Sequence, residues 1–322
     1  MHTLLLSGME VGKLLTMAET IDVVEKAFEA HGKGKTHMPP KSYLFFSNGD
    51  LRVMPAYISP EDIAGVKIVS SHPNNPKKGL PTVMALIILN DPKTGEPMAI
   101  MDGKYITDMR TGATGGIAAK YLARKDSRVV GMIGSGAQAK TQLLALAEVI
   151  TIDKVKVSSR TKSHAIRFTE EMSRTLDLNI VPTDSNEEAV RNSDIVVTTT
   201  PSRKPIVMSD WISDGMHINA IGADAPRKLE LDADILLRSK IVVDDWKQAS
   251  HGGEINVPLS KGIISKEDVH GELGEIVAGK KVGRENDEEV TVFDSTGLAI
   301  QDVSTAYLVY RKAEVEGRGS KI

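Results

Sequence analysis

A glycine motif near the middle of the chain restricts the possible folds more than any other feature of the sequence. Residues 134–139 read GSGAQA, directly after the apolar run 129–133 and at the start of a helical pattern. In a strand–turn–helix unit, the first glycine permits the tight turn and the second lets a phosphate approach the backbone. Amides at the start of the helix then attract the phosphate. The motif predicts a dinucleotide site that contains Gly134, Gly136, Ala137 and Gln138.

The pattern that follows the motif predicts alternating strands and helices. Because this alternation is typical of a parallel sheet, the fold class is α/β, with a doubly wound Rossmann domain. The last apolar helix is expected to pack back on the first part of the chain. The predicted strands are 129–133, 154–158, 195–199, 217–221, 241–244 and 290–293, and the predicted helices are 137–150, 162–176 and 298–313.

The first 105 or so residues show a different pattern, which predicts a smaller α+β domain. Short β-prone runs are separated by Pro, Gly and Asn clusters, and residues 91–97 indicate a hairpin turn. A helix at 105–123 leads out of this domain, and its glycines suit the close approach of a neighbour or ligand. The predicted domains are 1–115 with 302–322, and 116–301. The predicted elements of the first domain are strands at 1–8, 41–44, 51–56, 66–70 and 82–89 and a helix at 20–30.

Composition excludes several classes of protein. The chain has 322 residues, a net charge of −3 and no cysteine, which rules out disulfides, thiolate zinc sites and a cysteine nucleophile. The small net charge argues against a nucleic-acid partner, and the short apolar start fails as a signal peptide or a membrane span. The histidines lack zinc-ligand spacing, so no metal is expected. We therefore expect a cytoplasmic protein.

A ribose-binding acid is expected at the end of the second Rossmann strand, about 20 residues after the glycines, but no acid stands there. Ser158, Ser159 and Arg160 stand there instead. Arg160 either faces the 2′-phosphate of NADP or is an ordinary solvated residue.

Three cations interrupt apolar runs in the first third of the chain: Arg52, Lys67 and Arg110. Such cations either extend to solvent or line a cavity that binds an anion. Together they could clamp a carboxylate, and an apolar site could lower the pKa of Lys67 enough for proton exchange near neutrality. Asp224 follows the apolar strand 217–221, where it either accepts a proton or caps a helix at 229–237.

These residues belong to a set of motifs that resembles the ornithine cyclodeaminase/mu-crystallin family, and within it the archaeal alanine dehydrogenase branch. The motifs occur in family order and span most of the chain. They are GVKIVSSHP at 65–73, MRTGA at 109–113, GSGAQA at 134–139, GADAP at 222–226 and VFDSTG at 292–297.

The resemblance implies a homodimer whose first domain, completed by the C-terminal helix, serves for substrate binding and dimerisation. It implies that Arg52, Lys67 and Arg110 hold the substrate carboxylate, with catalytic roles for Lys67 and Asp224 in proton transfer. Thr82 matches a further substrate contact, and Lys41 is either another active-site cation or a surface residue. The expected cofactor contacts are Thr111, Gly134, Gly136, Ala137, Gln138, Ser158, Ser159, Arg160, Thr200, Ile221, Gly222, Ala223, Lys228 and Ser295.

Two departures from the cyclodeaminase pattern bear on the reaction. Ser159 replaces an acid, and Arg227 replaces a glycine, which weakens the case for a tightly retained, recycled NAD. The resemblance therefore favours NAD-dependent oxidative deamination of L-alanine, with NADP as the second cofactor candidate. The motifs do not separate alanine from other small amino acids. The alternatives are ornithine cyclodeamination with recycled NAD, ketimine reduction, and non-catalytic binding of NADP and a small ligand.

Overall fold

The computed structural model describes residues 3–322, which form two compact units. The first unit ends at Arg110 and is completed by Leu298–Ile322, and the second is Thr111–Gly297. The junctions thus fall five residues before the predicted 115/116 boundary and four before the predicted 301/302 boundary. The first junction lies inside a helix, so no loop marks it in the sequence.

The secondary structure of the described residues follows in chain order. The strands are β1 (Leu4–Leu6), β2 (Thr36–His37), β3 (Ser42–Phe46), β4 (Gly49–Ile58), β5 (Ile63–Ser71), β6 (Val83–Asn90), β7 (Pro97–Asp102), β8 (Val129–Ile133), β9 (Lys154–Ser158), β10 (Ile180–Pro182), β11 (Ile195–Thr198), β12 (Arg203–Val207), β13 (His217–Ala220), β14 (Leu229–Leu231), β15 (Ser239–Val243), β16 (Val269–Glu272), β17 (Val290–Asp294) and β18 (Ser320–Lys321). The helices are α1 (Gly8–Leu14), α2 (Met17–Gly32), α3 (Lys104–Leu122), α4 (Ala137–Val149), α5 (Lys162–Leu176), α6 (Asn186–Val190), α7 (Ala233–Leu237), α8 (Trp246–Gly252), α9 (Asn256–Ser260), α10 (Leu273–Val277) and α11 (Ala299–Glu316).

The first unit is built on one mixed sheet with the strand order β18-β1-β7-β6-β5-β4-β2, and β3 pairs with β4. Strands β4 to β7 form an antiparallel meander, whereas β1 runs parallel to β7. The predicted hairpin between β6 and β7 is confirmed, with Gly95 at φ +75° in its turn. Glycine suits this left-handed conformation because it has no Cβ to clash with the backbone.

The two faces of this sheet differ in their burial. Side chains alternate along a strand, so every second residue of β4, β5 and β6 points to the same face. One face is buried under α11, against which α2 packs, with Ile58, Ile87 and Leu89 in the core. The other face is apolar but not covered by helices, and Met84 and Leu86 are 41% and 52% exposed on it.

The second unit is built on an entirely parallel sheet with the order β10-β9-β8-β11-β13-β17-β15-β16. Its central strands β8 and β11 are buried between apolar clusters on both faces, which is why they read as nearly continuous apolar runs, whereas β9 and β16 also carry polar residues. Strands β12 and β14 form a separate parallel pair. This is the predicted Rossmann fold, in which the order of strands along the sheet reverses between β8 and β11.

Two local predictions were wrong. The strand predicted at 1–8 is only β1, because Ser7 caps α1 through its hydroxyl, which accepts from the Glu10 amide; residues 1 and 2 lie outside the described part. The helix suggested at 229–237 is β14 followed by α7, which Asp232 caps, so Asp224 caps no helix there. Within residues 3–322, no helix combines the length and apolar character needed to cross a membrane.

Candidate functional site

The glycine motif forms the turn between β8 and α4, as the sequence predicts. Gly134 adopts φ +114°, and a Cβ there would lie 2.3 Å from Thr199 Oγ1, so both conformation and space require glycine. Gly136 is the N-cap residue of α4, and a Cβ on it would meet nothing within 4 Å. No side chain caps this helix end. The amides at the start of α4 therefore face a gap that suits an anion.

The glycines of α3 serve helix packing. A Cβ at Gly112 would lie 2.4 Å from the Thr141 carbonyl oxygen, and one at Gly115 would overlap the Gln142 side chain. Gln142 Nε2 also donates to the Thr111 carbonyl oxygen at 2.8 Å. The close neighbour that the sequence predicted is thus helix α4, which holds the predicted cofactor residue Thr111 at the buried junction.

The end of β9 carries the three residues predicted to face the ribose. Ser158 is buried, and its hydroxyl donates to Asn186 Oδ1 at 2.7 Å. The Ser159 hydroxyl accepts from the Ser135 hydroxyl of the glycine turn at 3.0 Å, whereas Arg160 is exposed. The structure therefore brings Ser159 to the glycine turn and leaves Arg160 on the surface.

Glu230 holds together two loops that carry predicted cofactor residues, although no sequence motif pointed to it. Its Oε1 accepts from the Thr200 amide at 2.6 Å, and its Oε2 accepts from the Gly222 amide at 2.9 Å. These amides follow β11 and β13, at the carboxyl edge of the sheet where open α/β folds bind ligands. Burial raises the pKa of Glu230, and the Thr200 and Gly222 amides oppose that rise.

A second buried acid, Glu254, supports Glu230. Its carboxylate accepts from the amides of Glu230 and Leu231 at 2.7 to 2.9 Å. Burial and the nearby Glu230 charge raise the pKa of Glu254 well above its usual value. Glu230 interrupts the apolar run 229–231, the same signal that drew attention to Lys67, whereas Glu254 follows two glycines and carries no such signal.

Ser295 and its neighbour Asp294 complete the carboxyl edge at the end of β17. The Ser295 amide donates to the Ala220 carbonyl oxygen at 3.0 Å, while its buried hydroxyl has no hydrogen-bond partner among residues 3–322. Asp294 accepts from the Ile255 amide, and burial raises its pKa to about 8. An unpaired buried hydroxyl is costly, so Ser295 fits a contact with a bound ligand.

Asp224 lies in the loop after β13 and forms an ion pair with Lys228 four residues later. The Lys228 ammonium donates to Asp224 Oδ1 at 2.5 Å, and the Asp224 side chain is 36% exposed. A carboxylate that is partly open to water can accept a proton from it. The predicted cofactor residues Ile221, Gly222 and Ala223 directly precede it.

The first unit contains a buried cluster of ionised groups around Lys67. Lys67 Nζ lies 2.7 Å from the Asp302 carboxylate, and Arg110 Nε lies 2.9 Å from Asp302 Oδ1. Arg110 Nη1 also donates to Gln301 Oε1 at 2.8 Å. Strand β5, helix α3 and helix α11 supply these groups. Two cations share one carboxylate, so the cluster carries surplus positive charge when Lys67 is protonated.

Burial and neighbouring charge shift the proton equilibrium of Lys67. Desolvation and the positive charges of Arg110 and Lys41 lower the pKa of Lys67, while Asp302 raises it, and the result is a pKa of about 7. Lys67 can therefore accept or donate a proton near neutral pH. The influence of Lys41 on this pKa places that residue in the same electrostatic environment.

The remaining predicted substrate residues differ in their placement. Arg52 is buried on the same face of the sheet as Lys67, but its guanidinium forms two hydrogen bonds with the Asp50 carboxylate, at 2.8 and 3.2 Å. Its guanidinium also lies 5.5 Å from the centre of the Tyr43 ring. Thr82 lies just before β6, where its carbonyl oxygen accepts from the His72 amide at 2.8 Å. No hydrogen bond links its side chain to the Lys67 cluster in the part of the chain that the structure describes.

The second unit meets the requirements of a dinucleotide site. It combines a parallel sheet, a glycine turn with an uncapped helix start, and a buried hydroxyl without a partner at the carboxyl edge. The fold and the site define a Rossmann-type protein with a separate domain that carries buried cations. The chain belongs to the ornithine cyclodeaminase/mu-crystallin family, whose model matches residues 1–317.

Several relatives match over nearly their full length. Alanine dehydrogenase from Archaeoglobus fulgidus is 56% identical over 322 residues, covering 100% of this chain and 98% of that protein. The structure of an archaeal alanine dehydrogenase dimer with bound NAD has a TM-score of 0.97 and 55% identity, covering 100% of this chain and 99% of that chain. The Δ1-pyrroline-2-carboxylate reductase of Thermococcus litoralis, in complex with NADH and L-proline, has a TM-score of 0.97 and 45% identity, covering 99% of this chain and 100% of that chain.

Proposed function

We propose that this protein is an NAD-dependent amino-acid dehydrogenase that converts L-alanine to pyruvate and ammonia in a reversible reaction. The relatives support the class, because they include an alanine dehydrogenase, a structure with bound NAD and an imino-acid reductase with bound NADH. All three relatives are dehydrogenases or reductases of an amino or imino acid. The choice of alanine rests on the 56% identical relative.

The observation that carries the proposal is the Lys67–Asp302–Arg110 cluster. An α-amino acid presents a carboxylate and an ammonium group next to each other. Surplus positive charge on Arg110 and Lys67 suits the carboxylate, and a lysine with a pKa of about 7 suits proton exchange with the amine. Arg52 adds a third buried cation on the same sheet face.

The overall reaction takes up L-alanine, NAD and water and yields pyruvate, ammonium, reduced NAD and one proton. Neutral Lys67 accepts a proton from the substrate ammonium, which leaves an amine lone pair to support loss of the Cα hydride. The bound nicotinamide supplies the hydride acceptor. Asp224 accepts a proton from the water that attacks the resulting imine of the substrate. Arg110 and Arg52 hold the carboxylate throughout.

The proposed cofactor contacts come from loops at the carboxyl edge of the parallel sheet. Gly134, Gly136 and the amides that start α4 would bind the pyrophosphate, and Ser295 would use its unpartnered hydroxyl. Ser159 offers a neutral hydroxyl where an acid would repel a 2′-phosphate. NAD ranks first because the structures of two relatives contain NAD or NADH, and the neutral Ser159 hydroxyl predicts measurable use of NADP.

We also propose a homodimer formed through the uncovered face of the sheet in the first unit. Met84, Leu86 and the strand β3 residue Leu44 expose 41%, 52% and 60% of their surfaces, and the strand register puts all three on this face. A large apolar patch that is exposed on a protein surface marks an interaction site. The structure of an archaeal relative is that of a dimer, which supports a second copy of the chain as the partner.

A second candidate function is reduction of a cyclic imine such as Δ1-pyrroline-2-carboxylate. The 45% identical reductase that binds L-proline favours it. The same cluster would then hold the imino-acid carboxylate, and Lys67 would protonate the imine nitrogen. Ornithine cyclodeamination and non-catalytic ligand binding are the remaining alternatives.

Absorbance of reduced nicotinamide in separate reactions distinguishes these functions. The purified protein is incubated with L-alanine, L-proline or L-ornithine and with NAD or NADP, and in reverse with pyruvate plus ammonium or with Δ1-pyrroline-2-carboxylate. We expect the largest kcat/KM with L-alanine and NAD. A larger value for the cyclic imine would replace alanine by an imino acid as the substrate.

Two further outcomes would reject dehydrogenation. Proline formed from ornithine without net reduction of NAD would establish a cyclodeaminase. Absence of turnover with every substrate, together with calorimetric binding of NADP, would establish a binding protein.

A further inference from the structure

A cavity of about 570 Å³ in the second unit is lined by four cations. They come from the start of β12, the loop after Asp224 and the end of α9, and only one carboxylate, Asp232, lines the same cavity. Within residues 3–322, none of the four side chains forms a salt bridge or a hydrogen bond. The cations are Arg203, Lys204, Arg227 and Lys261.

The backbone of Arg227 is in a conformation that residues other than glycine rarely adopt. Its φ is +67°, in the left-handed region that glycine occupies without steric cost. Asn256 holds this turn from both sides: the Arg227 amide donates to Asn256 Oδ1 at 3.1 Å, and Asn256 Nδ2 donates to the Lys228 carbonyl oxygen at 3.0 Å. A glycine would satisfy the same two hydrogen bonds without strain. An arginine at this position therefore carries backbone strain that a glycine would avoid.

The cavity also has an apolar part. Leu229, Val257, Pro258 and Ile263 line it, and Ile263 is 39% exposed. A volume of about 570 Å³ lies within the range of cavities that hold small organic molecules. The lining thus combines apolar contact with a surplus of guanidinium and ammonium groups, which bind phosphate oxygens.

We propose that this cavity binds an organic phosphate, a molecule with an apolar or aromatic body and two or more negative charges. None of the residues expected to contact the dinucleotide lines the cavity, so this site is a second anion site in the same unit. Arg227 belongs to the loop that carries Asp224 and its partner Lys228. A bound phosphate on Arg227 therefore also restrains this loop.

Isothermal titration calorimetry with ATP, carried out at saturating NAD, tests the proposal. We expect one ATP to bind per chain and inorganic pyrophosphate to bind more weakly, because it lacks a body to contact Leu229 and Ile263. Hydrogen exchange of the amides in residues 224–228 should slow when ATP is added. These readouts do not depend on the proposed dehydrogenase activity.

Three variants separate the site from general effects of charge and strain. Arg227→Gly should weaken ATP binding at least tenfold while the thermal midpoint stays unchanged or rises, because strain is relieved. Lys261→Gln should weaken ATP binding without relieving strain. Asp177→Gly relieves left-handed strain at another position of the same unit, φ +53°, and should leave ATP affinity unchanged.

Several outcomes would overturn the proposal. They are absence of ATP binding at saturating NAD, displacement of ATP by NAD, and unchanged affinity in both Arg227→Gly and Lys261→Gln. Pyrophosphate binding as tightly as ATP would overturn the assignment of an organic ligand. Tight binding of a single-stranded polynucleotide with no binding of ATP would indicate a macromolecular partner and equally reject the small-molecule site.

Discussion

Lys67 Nζ lies 2.7 Å from the Asp302 carboxylate, and both side chains are buried, at 1% and 0% exposure. The two residues are 235 positions apart in the sequence. Arg110 shares the same carboxylate, so three ionised groups lie in one buried cluster. A buried pair of this kind adds little net stability compared with an apolar core, but removing one partner leaves an uncompensated charge. Its main effect is to set the protonation of Lys67.

Replacement of Lys67 by Met tests its role in proton transfer. Methionine keeps the apolar contacts of the lysine stem but cannot exchange a proton, so we expect kcat to fall by about 10²- to 10⁴-fold. Binding of reduced NAD, measured by fluorescence, should not change. In the wild-type protein, kcat for deamination should rise with pH through about 7, because only neutral Lys67 accepts a proton. A kcat like that of the wild type in Lys67→Met would reject this role.

Asp302→Asn should move that pH dependence. Asp302 raises the pKa of Lys67, so its loss should lower this pKa and shift the rise in kcat to lower pH. Unfolding by urea should show a loss of about 3–5 kcal/mol, since a buried pair is broken. The pKa of Lys67 is lower in the folded protein than in the unfolded protein. Protonation of Lys67 therefore opposes folding increasingly as pH falls from about 10.5 to about 7. An unchanged pH profile would contradict the electrostatic coupling.

Glu230→Gln tests whether this acid positions the cofactor loops. A carboxylate accepts from both the Thr200 and Gly222 amides, whereas a glutamine must present its NH₂ group to one of them. Loss of one such hydrogen bond costs about 1–3 kcal/mol, which corresponds to a Kd for NAD raised about 5- to 150-fold. Calorimetry measures this Kd, with the exposed Glu171→Gln as the control. Equal NAD affinity in the two variants would show that Glu230 is not required to position the loops.

Ser159→Asp tests the choice between the two nicotinamide cofactors. An acid at the end of β9 can bind the ribose hydroxyls of NAD and repels the 2′-phosphate of NADP. We expect the ratio of kcat/KM for NAD to that for NADP to rise about tenfold or more, which corresponds to about 1.4 kcal/mol. Ser163→Asp places the same charge on the exposed start of α5 and should not change the ratio. A similar change in both variants would indicate a general charge effect.

Leu86→Asp tests the proposed dimer face. A buried aspartate on an apolar sheet face costs several kcal/mol, so the dimer should dissociate. Sedimentation velocity measures the mass, and Leu237→Asp provides a control, since Leu237 is 59% exposed in the other unit. If both the Leu86→Asp protein and the Leu237→Asp control stay dimeric, the interface lies elsewhere.

Local sequence patterns predicted much of the fold. The turn glycines, the apolar strands and the helix starts depend on interactions between residues close in the chain, so their periodicity and spacing identify them. Short elements such as α6, β12 and β14 were not predicted because their three to five residues mix charged with apolar side chains and form no apolar run. The family motifs extended the prediction to Lys67, Arg110 and Asp224 as candidate site residues.

Contacts between distant segments decided the rest. Asp302 meets Lys67 only because α11 returns to the first sheet, and Glu230 bridges Thr200 and Gly222 only because β14 lies beside the ends of two other strands. The left-handed backbone of Arg227, in the loop before β14, likewise depends on Asn256 at the start of α9. The amino-acid sequence was sufficient for the family, the Rossmann fold and the cations, because these follow from local chemistry and from motif order. The pKa of Lys67 and the partners of the buried acids required the tertiary structure, because burial and charge pairing arise only when segments far apart in the chain come together.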